Sequence, residues 1–335
     1  MADISKTIVD VFRQKTVAII GDLVADQYLN GTISRVSREA PVFILRHDET
    51  TTLPGAAANA AANVASLGGK TVVVGLIGDD TNGGLLVDRL NDAGIDCNNI
   101  VRDQNITTTT KVRILAGQQH AARQQVIRVD YENKAPVGQS TRDALRSAAV
   151  IAARSADAVI ISDYNYGVAE SDIFDAVLSV ARERRIPLLV DSRFRLGKFH
   201  GASAATPNQD EAEQLLKPNF QPADCERLRA ELGLESLLVT NGNKGMLLVE
   251  QGRPIRQIDA VGSDQAVDVT GAGDAVIAAF ALALASGLSY FESATIANHA
   301  GGIVVMKKGT AVVTTSELLL SLKTHPAPST AVPGE

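Results

Sequence analysis

The chain holds 335 residues, 45% of them apolar and 21% charged, with a formal net charge of −6. That balance can build a sizeable core, and it excludes a chain disordered throughout, which would be poor in apolar residues and high in net charge. The negative balance, an aromatic content of only 4% and the absence of tryptophan exclude nucleic-acid binding by charge or by base stacking. Two isolated cysteines, Cys97 and Cys225, give no disulfide framework and no zinc spacing, which suits a reducing cytoplasm. Asp3, Lys6, Asp10, Arg13 and Lys15 interrupt any apolar leader, and the longest uncharged apolar stretch, Ala275–Ala285, is 11 residues, a buried helix and too short for a bilayer. The expectation is a cytoplasmic protein with no membrane and no nucleic-acid partner.

In chain order, short β-branched runs alternate with helical patterns. Val17–Ile20 predicts a buried strand, Ala56–Leu67 a helix, Thr71–Leu76 a strand and Gly83–Ala93 a helix. Ala158–Ser162, Ser171–Arg184, Pro187–Asp191, Asp210–Leu216 and Ser236–Thr240 continue the alternation and end the series on a strand. This rhythm predicts an α/β protein with a doubly wound, mostly parallel sheet, whose ligands sit outside the carboxyl ends of the strands. Gly21-Asp22, Ser162-Asp163 and Thr240 fall at those ends. Residues 28–54 and 107–131 break the rhythm with extended Thr/Val/Ile/Arg-rich runs, and in Thr109–Leu115 alternation sets Lys111 and Arg113 on one face and Val112 and Ile114 on the other. These two stretches are expected to pair as a small inserted β-sheet, either a lid over the site or a surface for a homodimer. The expected division is a core of 1–27, 55–106 and 132–324, the β lid of 28–54 and 107–131, and a disordered tail over 325–335, where Pro326, Pro328 and Pro333 stand among small residues.

The strongest chemical signal is Asp268-Val269-Thr270-Gly271-Ala272-Gly273-Asp274 directly before the apolar helix. Glycines at a helix start turn backbone N–H groups toward an anion, with the helix dipole behind them. Asp274 beside such a site is either a cap for the helix or a base that takes a proton from an attacking hydroxyl while the amides stabilise the transferring group. Other chemistries lack their residues. Gly68-Gly69-Lys70-Thr71 imitates a P-loop end, but Val64 stands where the first glycine belongs; Val276 denies Gly271 a dinucleotide fingerprint; His47, His120, His200, His299 and His325 lack metal spacing. No Gly-x-Ser-x-Gly elbow is present, which leaves phosphoryl transfer.

Asp268–Asp274 resembles the signature of the PfkB, or ribokinase-like, carbohydrate kinases, and the likeness runs over nearly the whole chain. Gly21-Asp22 with Asp26 resembles that family's sugar-binding segment, and Pro54-Gly55-Ala56-Ala57-Ala58-Asn59 its Gly-Gly-x-x-x-Asn motif with Ala56 for the second glycine. Thr206-Pro207-Asn208 with Glu211, Thr240-x-Gly242-x-x-Gly245 and Ala297-Asn298-His299-Ala300 follow in family order. The resemblance implies Asp274 as general base, with Gly271, Ala272 and Gly273 as the anion hole. It implies Asp26, Gly55, Asn59, Lys111, Arg113 and Asp163 at the sugar, and Asn208, Thr240, Gly242, Gly245 and Asn298 at ATP. Glu211 would help hold Mg²⁺, and a monovalent cation such as K⁺ would sit near Asp268. Within the family, Gly31-x-x-x-Arg35-x-Ser37-x-Glu39-Ala40-Pro41-Val42, Thr109–Arg113, Gln125-x-Ile127-Arg128-x-Asp130 and Ser162-Asp163-Tyr164 resemble the kinases that make heptose 1,7-bisphosphate from the 7-phosphate. Tyr166 and Ser192-Arg193 depart from that group's lysines. The expected substrate is a sugar phosphate, gripped by Arg35, Lys111 and Arg113 in the lid. The alternatives are a kinase of an unphosphorylated sugar, of ribokinase or fructokinase type, and a non-catalytic regulator that binds sugar phosphates. No nucleotidyltransferase half follows within these residues, so kinase chemistry alone is expected.

Overall fold

Near-continuous apolar runs become the middle of a sheet because both of their faces must be covered. In the computed structural model, which describes residues 4–118, 123–133, 136–262, 265–325 and 330–331, the predicted strand of Val17–Ile20 is Thr16–Gly21. Lys70–Gly78 and then Asp96–Asp103 lie parallel on one side of it. On the other side Ala158–Asp163, Leu188–Ser192, Ala204–Ala205 and Ser236–Thr240 follow, also parallel. Met246–Glu250, Arg256–Ile258 and Thr330–Ala331 close the ten-stranded sheet with antiparallel pairings. The period of two divides each strand between two cores. Val17, Ile19, Ile160 and Leu189 face the helices Ala57–Ser66, Ala272–Ala285 and Tyr290–Val304. Ala18, Ile20, Ile161 and Val190 face the helices Gln139–Ser155 and Ser171–Arg184. The Ala-rich sequence of Ala57–Ser66 lets that helix pack closely on Ala272–Ala285, and no described helix is long and apolar enough to cross a membrane.

The two irregular stretches pair with each other in a separate four-stranded sheet, in the order Phe43–Ala56, Leu23–Val36, Thr110–Gly117, Gln124–Tyr131. Leu23–Val36 and Thr110–Gly117 are parallel, with Asp26 opposite Lys111 and Tyr28 opposite Arg113; Arg113 is in turn opposite Arg128. Alternation therefore gathers Asp26, Lys111, Arg113 and Arg128 on one face, and Val112, Ile114, Ile127 and Val129 on the other. The first strand of this sheet begins at Leu23, so it carries Asp26 itself, which the sequence reading left in the core. Most of the tail expected to be disordered lies outside the described residues, but Thr330–Ala331 pairs with Arg256–Gln257 and so corrects that expectation at those two positions.

Candidate active site

A cavity of about 840 Å³ opens between the small sheet and the carboxyl edge of the large one. Asp26, Lys111, Arg113, Arg128, Tyr164 and Asp274 line one end, and Asn208, Thr240, Gly242, Gly245 and Asn298 line the other, with Gly271, Ala272 and Gly273 between them. The sequence motifs meet here because the helix Ala272–Ala285 starts at the mouth of the cavity. The N–H groups of Val267 and Asp268 donate to the Val305 carbonyl, and the Asp268 carboxylate accepts from the N–H groups of Thr270 and Gly309. Gly271 then turns the chain at φ 79°, where an added Cβ would lie 2.5 Å from Asn59 Nδ2, so both the backbone and the close approach require glycine. The Ala272 and Ala275 N–H groups find backbone acceptors, whereas those of Gly273 and Asp274 have none among the described residues. A Cβ on Gly273 would meet nothing within 4 Å.

Asp274 is buried, and both of its carboxylate oxygens are held. Asn59 Nδ2 donates to Oδ2 at 2.8 Å, and the Tyr164 hydroxyl donates to Oδ1 at 3.0 Å. Burial pushes its pKa up to about 7 against the lowering effect of these two bonds; Asp26 raises it further and Lys111 opposes. Asn59, expected at the sugar, thus holds Asp274, and it is itself fixed by Asn63, which donates to its carbonyl at 3.0 Å. Asp26 is paired with Arg113 at 2.5 Å, and Gly55 makes room for it, since a Cβ there would lie 2.5 Å from Asp26 Oδ2. Lys111 is buried with its ammonium 5.8 Å from the centre of the Tyr164 ring and 5.5 Å from that of Tyr166. Burial, with Arg193 and Arg128 adding, holds its pKa below the usual lysine value.

At the far end, Asn208 and Glu211 form a reciprocal capping box at 2.9 Å each, which commits Glu211 Oε2 and turns both residues to the cavity. Thr240 ends its strand beside them, and Asn298 Nδ2 donates to the Asp259 carbonyl at 2.8 Å. Two residues stand apart from expectation. Asp163 does not line the cavity; its carboxylate accepts from Arg195 and from Ser192 Oγ, a buried ion pair that a nearby arginine makes possible. Arg35 is exposed near the far end of its strand, away from Lys111 and Arg113, and Arg128 stands in its place at the cavity.

The sequence reading also missed Tyr164 and Asp191 as site residues. Asp191 carried a signal, its position at the carboxyl end of a parallel strand. Asp191 lines the cavity, and burial, with Glu211, Asp274 and Asp163 adding, raises its pKa well above the usual carboxylate range.

A buried carboxylate on a glycine-rich helix start, with basic side chains toward one end of the cavity and polar groups toward the other, is an arrangement that suits phosphoryl transfer. Known proteins agree with it. Two proteins named bifunctional protein HldE are similar: that of Azorhizobium caulinodans is 38% identical over 95% of the chain, and that of Koribacter versatilis 36% identical over 98%. The chain spans about two thirds of these relatives, 66% and 67% of their length. Two solved structures share the fold. Arabidopsis thaliana ribokinase, complexed with ribose and ATP, superposes with a TM-score of 0.69 at 23% identity, covering 92% of this chain and 98% of its own. Escherichia coli phosphofructokinase-2, with its substrates and products, gives 0.74 at 18% identity, covering 92% and 99%. The family model for the pfkB carbohydrate kinases matches residues 14–316, which takes in every strand and helix that builds the cavity, and the chain belongs to that family.

Proposed function

We propose that the protein transfers the γ-phosphoryl group of ATP to a hydroxyl of a phosphorylated sugar, D-glycero-D-manno-heptose 7-phosphate, to give the 1,7-bisphosphate. The observation that carries this reading is Asp274, buried at the mouth of the glycine-rich turn and facing the same cavity as Lys111, Arg113 and Arg128. The acceptor hydroxyl attacks the γ-phosphorus, the bond to the β–γ bridging oxygen breaks, and Asp274 takes the hydroxyl proton as ADP leaves. The free N–H groups of Gly273 and Asp274 stabilise the transferring oxygens. Asp26 presents Oδ2 to the sugar while Arg113 holds Oδ1, and Lys111 and Arg128 meet the substrate's own phosphate.

The donor set fits Mg²⁺ arriving with the nucleotide. Glu211 keeps one carboxylate oxygen beyond its capping bond, and Asn208 stands beside it. No group of three His, Cys, Asp or Glu side chains that could hold a metal ion is found among the described residues; Mg²⁺ keeps several waters and uses few carboxylates. When bound, Mg²⁺ supplies charge neutralisation at the phosphate oxygens. The proposal includes a monovalent cation such as K⁺ near Asp268. Burial works against the charge of that carboxyl, but the Thr270 and Gly309 bonds hold its pKa below the usual range. Escherichia coli phosphofructokinase-2 has been solved with potassium.

The division into core and lid belongs to the same proposal, with the small sheet closing over the acceptor to exclude water. Its other face carries the exposed Ile127 and Val129, and a homodimer pairing there would cover them. A coupled ADP-release screen of sugars and sugar phosphates tests the substrate. Heptose 7-phosphate is expected to give the highest kcat/KM; ribose or fructose in first place would replace this reading with a kinase of unphosphorylated sugars.

A further inference from the structure

Asp22 follows the first strand, and its side chain is buried against the loop after Ala158–Asp163. It reaches no ligand. Its Oδ2 accepts the backbone N–H groups of Tyr164 at 2.8 Å and Tyr166 at 3.0 Å, and its Oδ1 that of Val168 at 3.1 Å. Three amides of one loop are thus tied to one carboxylate, and the first of them belongs to the residue whose hydroxyl holds Asp274. Within this loop Asn165 sits at φ 64°, an uncommon conformation for a residue with a Cβ, and Gly167 at φ 98°, which glycine adopts freely.

We infer that Asp22 is a positioning residue for phosphoryl transfer: by fixing the 164–168 backbone it holds the Tyr164 hydroxyl on Asp274 and so sets the base for the acceptor proton. The inference rests on the kinase reading, with Asp274 as base. The groups facing Asp274 come from four elements: Asn59 from its helix, Tyr164 from this loop, Asp26 and Lys111 from the small sheet, and Asp191 from the end of Leu188–Ser192. Asp163 is the charge that faces Asp22. The Asp22 backbone carbonyl also accepts from Ala57 at the start of the Asn59 helix, but among the groups facing Asp274 only Tyr164 is tied to the Asp22 side chain, so a side-chain change there reaches the base by that route. Asparagine cannot replace the carboxylate there, because its NH₂ would meet one or more of the three N–H groups donor to donor.

The test is the pH dependence of kcat with ATP, Mg²⁺ and heptose 7-phosphate, or ribose should ribose win the screen, for Tyr164→Phe, Asp22→Asn and the double variant. Tyr164→Phe removes a donor that favours the charged base. Its acid limb is expected to move up by about one pH unit, the scale of one charge-assisted hydrogen bond, with kcat down about tenfold. Asp22→Asn is expected to move the limb the same way, and the double variant no further than the larger single shift, since both act on one contact. A merely structural role would lower the melting temperature and leave the limb in place. A stationary limb in folded Asp22→Asn, or additive shifts in the double variant, overturns the inference. If Asp22→Asn does not fold, Tyr164→Phe decides, and an unmoved limb there overturns it. Asp274→Asn with wild-type turnover would instead remove the assignment of Asp274 as the base, so the two failures are distinct.

Discussion

Replacing Asp274 by asparagine should cost activity and add stability, and both follow from its burial. The carboxyl has a pKa near 7 in the fold against 3.8 when free, about three units, and each unit is worth about 1.36 kcal/mol. A raised native pKa means that the folded state holds the proton more tightly. The associated stability is complete below the free value and is lost as pH rises through the native one. Above pH 7 the wild type therefore carries a cost of up to about 4 kcal/mol for a buried charge, which Asp274→Asn does not carry. At about 2.1 cal/mol/K per residue, a chain of this length shifts its Tm by about 1.4 °C per kcal/mol. The variant should melt up to about 6 °C above the wild type at pH 8, and the gap should close toward pH 4, where both side chains are neutral. Calorimetry across that range reads the gap directly, and other titrating groups cancel between the two proteins. In the same preparation kcat should fall by about 10²–10⁴, the usual worth of a general base. A gap independent of pH would refute the burial argument, and undiminished kcat would refute the role of Asp274.

Four further perturbations separate binding from folding. Gly273→Val should leave the melting temperature nearly unchanged, because the space beyond that Cα is open, yet turnover should collapse as the side chain fills the anion site; normal steady-state kinetics would place the phosphate elsewhere. Lys111→Ala should lower kcat/KM for a sugar phosphate by about ten- to a hundredfold, the loss of one charge-assisted contact, and leave an unphosphorylated sugar nearly unaffected. An equal loss for both would mean that Lys111 only shapes the pocket. Arg113→Ala is the less clean experiment, since it strands the buried Asp26 carboxylate, and urea titration should show about 3–5 kcal/mol of lost stability. Ala56 adopts φ 54° and ψ −130°, a glycine conformation, so Ala56→Gly should relieve about 1–3 kcal/mol of strain less about 0.5–1 kcal/mol of added chain entropy; a drop in Tm would show that the methyl packs usefully.

What could be read from the sequence was local. Asp268–Asp274 announces itself because the turn, the helix start and the base are consecutive, and the buried strands announce themselves by unbroken apolar runs between polar ends. The contacts that hold Asp274 are not local. Asn59 and Tyr164 reach Asp274 from 215 and 110 residues away, and only the stacking of the Ala-rich helix on Ala272–Ala285 and the pairing of Thr16–Gly21 with Ala158–Asp163 bring them there. Arg35 shows the reverse error, a residue grouped by charge that geometry separates. It lies nine positions beyond Asp26 on one continuous strand, and at about 3.3 Å per residue that is roughly 30 Å of separation, too far for any side chain to bridge. Asp163 shows a third kind of ambiguity. A carboxylate at the carboxyl end of a parallel strand can meet a ligand or an internal cation, and Arg195 was as near in sequence as any substrate was in expectation. Burial favours the ion pair, because a carboxylate with its side chain 0% exposed is costly to leave without a partner. Asp274, also buried, is bonded among the described residues to two neutral donors and to no cation, and its pKa is pushed up to about 7. Asp163 is committed to its ion pair with Arg195, whereas Asp274 is held by neutral donors with its pKa so raised, which suits the proton-accepting role proposed for it.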